Sequence, residues 1–110
     1  MKHYIGDKTP QGCEVDVVDS TAPGGGHPLN PRHDLRNHSP DGFFWGYSGS
    51  GPTQLSLALL ADALGDDAKA QRFYQDYIYK VIARLDGDRF SLSEEDIKQT
   101  VAELAWGQER

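Results

Sequence analysis

The alternation of apolar and polar residues predicts a β-hairpin near the start of the chain. Residues 3–5 favour a short strand, and residues 13–19 alternate so that Val15 and Val17 share one face. Between them, residues 9–12 (Thr-Pro-Gln-Gly) place proline and glycine where a turn uses them. We therefore predict two antiparallel strands joined by this turn.

Residues 20–36 form a proline- and glycine-rich segment in which apolar residues follow neither the two-residue spacing of a strand nor the three- and four-residue spacing of a helix. Its only large aliphatic residues are Leu29 and Leu35, which would anchor it to the core. Irregular stretches of this length are unusual in a small domain, and they are more often functional or mobile than incidental. The pattern predicts a long loop here.

Residues 38–60 predict a polar, glycine-rich loop that runs into the N-terminus of a buried helix. Their sequence is HSPDGFFWGYSGSGPTQLSLALL. Proline favours the first helical position, so we place Pro52 there with Gly51 as the cap. The helix continues to about Leu64 and ends at Gly65 as a left-handed cap. Apolar residues occupy nearly all its sides, which predicts the central helix of the domain.

A second helix is predicted from a cap at Asp66 or Asp67 to about Leu85, because apolar residues recur there at three- and four-residue spacing. Its opposite face is charged. A solvated surface and a basic ridge are both compatible with that face, and the solvated surface is the commoner case.

The last part of the chain predicts an extended segment at residues 89–92, followed by a third helix that ends at Trp106. Ser93 and Asp96 have the spacing of a capping box at its start. The order of these elements predicts a single α+β domain over residues 1–110, with a small antiparallel sheet covered by about three helices.

Composition narrows the class of protein. The 110 residues suffice for one modest core, and a net charge of −6 disfavours binding to duplex nucleic acid or to a membrane surface. The apolar run at residues 55–64 is too short to cross a bilayer. The single cysteine, Cys13, cannot form an internal disulfide, and residues 1–12 lack a secretory signal. We expect a cytoplasmic protein.

The central block of the chain resembles a family signature. The matching groups are residues 38–43 (His-Ser-Pro-Asp-Gly-Phe), residues 45–47 (Trp-Gly-Tyr), residues 49–52 (Gly-Ser-Gly-Pro) and residues 54–60 (Gln-Leu-Ser-Leu-Ala-Leu-Leu). They resemble an uncharacterised domain-of-unknown-function family of bacteria, archaea and their phages or mobile elements. The resemblance implies no established activity.

The predicted helix start is the first candidate site. A helix N-terminus offers unpaired N–H groups and partial positive charge, so an anion could bind at Gly49, Ser50 and Gly51. The sequence lacks the Gly-Lys-Ser/Thr ending of a phosphate-binding P-loop, and Pro52 removes one donor. The glycines are equally compatible with a tight turn against the aromatic residues.

His38, Ser39 and Asp41 form a second candidate group, because imidazole and carboxylate can exchange protons near neutral pH. Residues 39–42 are also typical of a simple turn, in which His38 packs or caps. Nothing in the sequence resembles the nucleophile elbow of a Ser-His-Asp hydrolase.

Metal and cofactor sites are not predicted. The candidate metal ligands match no known spacing, and no cysteine pair supports them. These candidates are His27, His33, Asp34, His38 and Asp41.

The aromatic segment could stack on a ligand or a partner side chain. Residues 43–45 fit either a third strand or a packed aromatic turn, and a strand would place Phe43, Trp45 and Tyr47 on one face. We expect Phe44 or Trp45 to be structural.

Three functions remain open. The first is a binding module whose pocket accepts a small or anionic ligand; its residues would be His38, Ser39, Asp41, Trp45, Tyr47, Gly49, Ser50 and Gly51. The second is an accessory protein of a phage or mobile element that binds another protein, for example as an inhibitor of host defence. The third is a small enzyme that uses His38 and Asp41.

Overall fold

The computed structural model describes residues 1–21, 25–40 and 42–108 and contains a four-stranded antiparallel sheet. The predicted hairpin is confirmed: its strands face each other from Lys2–Asp19 to Thr9–Gly12, across a two-residue turn. The sheet order is β3-β2-β1-β4, with strands β1 (Lys2–Thr9), β2 (Gly12–Asp19), β3 (Gly26–Pro28) and β4 (Arg89–Ser93).

Strand β3 corrects the prediction that residues 20–36 form a loop without regular structure. It pairs with residues 16–18 of β2, and the Leu29 N–H then donates to the Val15 carbonyl at 2.9 Å. This pairing uses backbone groups and leaves the β3 side chains exposed. The sequence of β3 therefore shows no alternation of apolar and polar residues from which a strand could be predicted. Leu29 is buried as an anchor, as predicted, and residues 22–24 lie outside the described residues.

Strand β4 confirms the predicted extended segment and pairs with β1, which places Phe90 opposite Gly6. The Phe90 ring lies directly over Gly6, where a side-chain carbon would sit 2.1 Å from the ring. Glycine at position 6 therefore makes room for the buried Phe90.

Helix α1 (Ser50–Leu64) is buried on nearly all sides, as its sequence predicts. Gly65 ends it in the left-handed conformation with φ 63°, also as predicted. The start differs, because Gly49 rather than Gly51 is the cap and its carbonyl accepts from the Thr53 N–H at 2.9 Å. Pro52 still lies in the first turn, where N–H groups have no partner within the helix.

Helix α2 (Asp67–Lys80) begins as predicted, since the Asp66 carboxylate accepts from the Lys69 N–H at 3.0 Å. It ends at Lys80 rather than near Leu85. A 3₁₀ turn (Ile82–Arg84) follows, and the Ile82 carbonyl accepts from the Gly46 N–H at 3.1 Å. Ile82 is 0% exposed in this 3₁₀ turn, so apolar residues continue to face the core beyond the end of the α-helix.

Helix α3 (Glu94–Gln108) opens with the predicted capping box. The Asp96 N–H donates to Ser93 Oγ at 3.0 Å, and the Ser93 N–H donates to the Asp96 carboxylate at 3.2 Å. The predicted α+β class is therefore confirmed, since the described residues form three α-helices and one antiparallel sheet. Among the described residues, no helix is both long enough and apolar enough to cross a membrane.

A hydrogen bond joins the sheet to the central helix. The Tyr4 hydroxyl donates to the Asp62 carboxylate at 2.6 Å, and Lys2 Nζ lies 3.4 Å from the same oxygen. Burial, followed by the neighbouring carboxylate, raises the pKa of the Tyr4 hydroxyl well above its usual range. Tyr4 therefore remains a protonated donor at any physiological pH.

Candidate functional site

The 31–40 loop is fixed to helix α1 by one buried side chain, that of Gln54. Gln54 is 0% exposed, and its Oε1 accepts from the N–H groups of His38 at 2.7 Å and Ser39 at 3.1 Å. Its Nε2 donates to the carbonyls of Pro31 at 2.5 Å and Arg36 at 3.1 Å. All four hydrogen-bonding positions of the amide are thus used on the loop backbone.

Arg32 provides a second attachment of this loop, to the start of α2. Its guanidinium contacts the Asp67 carboxylate through Nη1 at 3.0 Å and Nη2 at 2.8 Å, and it also binds Asp34. Hydrogen bonds from Arg32 lower the pKa of the Asp34 carboxyl. The Arg32 backbone has φ 58°, which is uncommon outside glycine. The side chain of this same residue makes the two ion pairs with Asp34 and Asp67.

His38 lies beside helix α2. Its Nε2 is 2.9 Å from the Tyr74 hydroxyl, and the two ring centroids are 5.6 Å apart. Ser39 is buried, and its carbonyl contacts Nε2 of His33 at 2.9 Å. Asp41, the predicted acid–base partner of His38, lies outside the described residues.

Trp45 belongs to the core, which confirms the prediction that Phe44 or Trp45 is structural. It is 1% exposed, its Nε1–H donates to the Gly87 carbonyl at 3.2 Å, and Phe90 packs edge-on at 4.8 Å. Residues 43–45 are neither a strand nor a turn but irregular backbone. Phe44 and Tyr47 remain 40% and 48% exposed and pack edge-on at 5.5 Å.

The backbone at the start of α1 is partly covered by aromatic residues. Gly51 is buried, and a side-chain carbon there would lie 2.7 Å from Cβ of Phe44. A carbon on Gly49 would lie 2.5 Å from the Tyr47 ring, whereas Ser50 is exposed. The predicted binding residues thus lie in three surroundings: His38 beside α2, Trp45 in the core, and Tyr47 at the helix start.

A cavity of about 490 Å³ lies along β2, and we call it the edge cavity. Its apolar lining residues include Val15, Leu29 and Phe43, and the acidic residues Glu14 and Asp16 also line it. The other lining residues are Cys13, Pro28, Pro31, His33, Pro40 and Gly42. Sequence reasoning missed this grouping because it joins three segments that are separated along the chain.

A family model of unknown function matches residues 4–103, from β1 into α3, which is well over half of the chain. The chain belongs to the family of unknown function DUF6166. The resemblance to an uncharacterised family that residues 38–60 suggested is therefore confirmed at the level of the family. Neither the curated proteins nor the solved structures include a match to this DUF6166 chain.

Four of the five candidate metal ligands of this DUF6166 chain have other partners or lie elsewhere, and the fifth, Asp41, lies outside the described residues. Asp34 pairs with Arg32, His33 contacts a backbone carbonyl, and His38 contacts Tyr74, while His27 is exposed on β3. Within residues 1–21, 25–40 and 42–108, no group of three His, Cys, Asp or Glu side chains could hold a metal ion.

Cys13 gives the edge cavity a chemical reporter. Burial raises the pKa of its thiol, and the Lys8 ammonium partly opposes that shift. Because the thiolate is the nucleophile, we expect folded Cys13 to react with iodoacetamide more slowly than in the urea-unfolded chain at pH 8. The midpoint of its pH–rate profile should lie above that of the unfolded chain.

Lys8→Gln tests the cause of this pKa shift, because it removes the charge that favours the thiolate. The midpoint should then move higher still, measured by mass spectrometry of alkylated protein. Identical midpoints for folded and unfolded Cys13 would contradict the assigned burial effect.

Proposed function

We propose that this protein is a binding module whose small ligand occupies the edge cavity. The supporting observation is the combination of a volume of about 490 Å³ with a mainly apolar lining and a few polar residues. Ligand sites in proteins are typically clefts of about 300–1,000 Å³ with this composition.

The charge of the cavity favours a ligand with an apolar body and an amine. Glu14 and Asp16 are exposed carboxylates of β2, and the whole chain has a net charge of −6. The local field of these carboxylates attracts a cation and repels an anion at this cavity. The sequence suggested a different ligand, an anion bound at the N-terminus of helix α1.

The proposal is one of binding rather than catalysis. His33 is the imidazole of this cavity, and its Nε2 is already engaged by the Ser39 carbonyl at 2.9 Å. The other candidate base, His38, contacts Tyr74 on a separate surface. In the described residues, neither imidazole is hydrogen-bonded to a serine, threonine or cysteine side chain, the arrangement that activates those nucleophiles.

Two probes of matched shape and opposite charge test the proposal. Tryptamine and indole-3-acetate share one ring system, and each is added to the full chain during alkylation of Cys13 by iodoacetamide. We expect tryptamine to slow alkylation in a saturable manner and indole-3-acetate to have a much smaller effect. Absence of protection by tryptamine would overturn the proposal.

The double variant Glu14→Gln/Asp16→Asn should abolish the difference between the two probes. Its matched control is Glu95→Gln/Glu103→Gln, which removes the same charge from exposed positions on α3. If both double variants lose the preference equally, overall charge rather than the cavity selects the ligand.

Binding to another protein is a second candidate, favoured by two exposed aromatic residues on the helices. Tyr79 and Trp106 are 65% and 64% exposed, and large aromatic residues are enriched at protein interfaces. A protein partner that shields Trp106 fluorescence from acrylamide and leaves Cys13 alkylation unchanged would favour this function over the edge cavity.

A further inference from the structure

We propose that a second site binds a small oxyanion, of the carboxylate or phosphate type, between the 31–40 loop and helix α2. The site, which we call the α2 cleft, has a volume of about 260 Å³. Its lining residues are Arg36, His38, Gln71, Tyr74 and Gln75. None of them lines the edge cavity, so this inference is independent of the proposed function.

The lining of the α2 cleft consists entirely of side chains that can donate hydrogen bonds. The guanidinium, the imidazole, the phenol and the two primary amides all supply N–H or O–H groups, and no carboxylate is among them. The volume is below the usual range for sites of drug-sized ligands, which starts at about 300 Å³. The cleft therefore suits one anionic group rather than a large molecule.

Arg36 supplies the positive charge. It is exposed, and its guanidinium makes no ion pair within the described part of the chain, whereas Arg32 has two carboxylate partners. The planar fork of a guanidinium matches the two oxygens of a carboxylate or phosphate group. An added anion would give Arg36 the type of partner that Arg32 already has.

The His38–Tyr74 pair keeps a donor for a ligand in either tautomer. If Nε2 of His38 accepts the phenol proton, the ring carries its own proton on Nδ1. If Nε2 donates instead, the Tyr74 hydroxyl proton is not used by His38. The side-chain amide of Gln75 donates to the Tyr74 hydroxyl oxygen at 3.4 Å. That oxygen is therefore already used as an acceptor, and the hydroxyl would contact a ligand as a donor.

Both walls of the α2 cleft are fixed before a ligand arrives. The Arg36 carbonyl and the His38 N–H are bound by the buried Gln54 amide. On the other wall, Ser56 Oγ donates to the Tyr74 carbonyl at 2.6 Å. Such preorganisation reduces the entropic cost of binding.

The test is a titration of the full ¹⁵N-labelled chain with sodium sulfate, inorganic phosphate or sodium acetate, at constant ionic strength set with sodium chloride. We expect saturable NMR shifts of the Arg36 Nε–H and the Gln71 and Gln75 side-chain amides. Saturation by sulfate and phosphate alone assigns a phosphate-type group, and saturation by acetate alone assigns a carboxylate. Saturation by both classes supports a general oxyanion site.

Arg36→Gln should weaken binding about tenfold or more, the loss expected for a charge-assisted contact. Arg84→Gln removes the same charge from an exposed position outside the cleft and should leave affinity nearly unchanged. Tyr74→Phe should weaken binding several-fold while the chain stays folded. Linear shifts without saturation, or equal losses in Arg36→Gln and Arg84→Gln, would overturn the proposal.

Discussion

Gln54→Met is expected to lower the free energy of unfolding by roughly 3–5 kcal/mol, although it preserves the size of the side chain. Gln54 makes four hydrogen bonds to the 31–40 loop and is 0% exposed. Each net hydrogen bond contributes about 1 kcal/mol, and a buried group left without a partner costs about 1–3 kcal/mol more. Because domains are stable by only about 5–15 kcal/mol, this loss is a large share.

Urea denaturation measures this loss, with Gln99→Met on the exposed side of α3 as the matched control. The control should change the free energy of unfolding by no more than about 0.5 kcal/mol. Hydrogen exchange adds a local readout, because the amides of His38 and Ser39 should lose protection in Gln54→Met. Unchanged exchange at both amides would refute the assigned contacts.

Gln54→Glu distinguishes the two halves of the amide. At pH 7 a carboxylate would face the carbonyls of Pro31 and Arg36, which need donors, whereas a protonated carboxyl can supply one. Burial and these carbonyls should raise the folded-state pKa of the introduced carboxyl above its unfolded value. The stability of this variant, relative to the natural protein, should therefore be greatest in mild acid and fall as the pH rises through the folded-state pKa.

Trp45→Ala is expected to cost about 3–5 kcal/mol, the usual range for removing a buried tryptophan. The change would leave a cavity beside Phe90 and remove the donor that the Gly87 carbonyl accepts from. Thermal or urea unfolding measures the loss. Trp106→Ala is the matched control, and its effect should be far smaller because Trp106 is 64% exposed.

Fluorescence quenching tests the same assignment without unfolding the protein. The sequence has two tryptophans, so Trp106→Phe leaves Trp45 as the only indole emitter. Iodide should barely quench that emission in the folded state and should quench it strongly in urea. Strong quenching in the folded state would show that Trp45 is not a core residue.

Features that depend on neighbouring residues were predictable from sequence. Alternation identified the two faces of β2, because successive side chains of a strand point to opposite sides. The Ser93–Asp96 box and the Gly65 cap were found for the same reason, since their hydrogen bonds close within a few residues.

Features that depend on distant residues were not predictable in the same way. Strand β3 pairs with β2 through backbone groups alone. Just after the end of α2, the Ile82 carbonyl accepts a hydrogen bond from the N–H of Gly46, a residue that is distant in sequence. Gln54 did leave a signal, because it is a polar residue on a helix whose apolar residues occupy nearly all sides. A buried amide there needs partners, but the sequence does not say that they lie 15–23 residues upstream.

The central position of β1 constrains how the chain can assemble during synthesis. Strand β1 pairs with its immediate neighbour β2 on one side and with β4, from the far end of the chain, on the other. The hairpin can close early, but the β4 side of β1 stays an open edge until residues 89–93 have emerged from the ribosome. Open edges recruit other strands, so truncated chains that lack β4 should aggregate rather than remain partly folded.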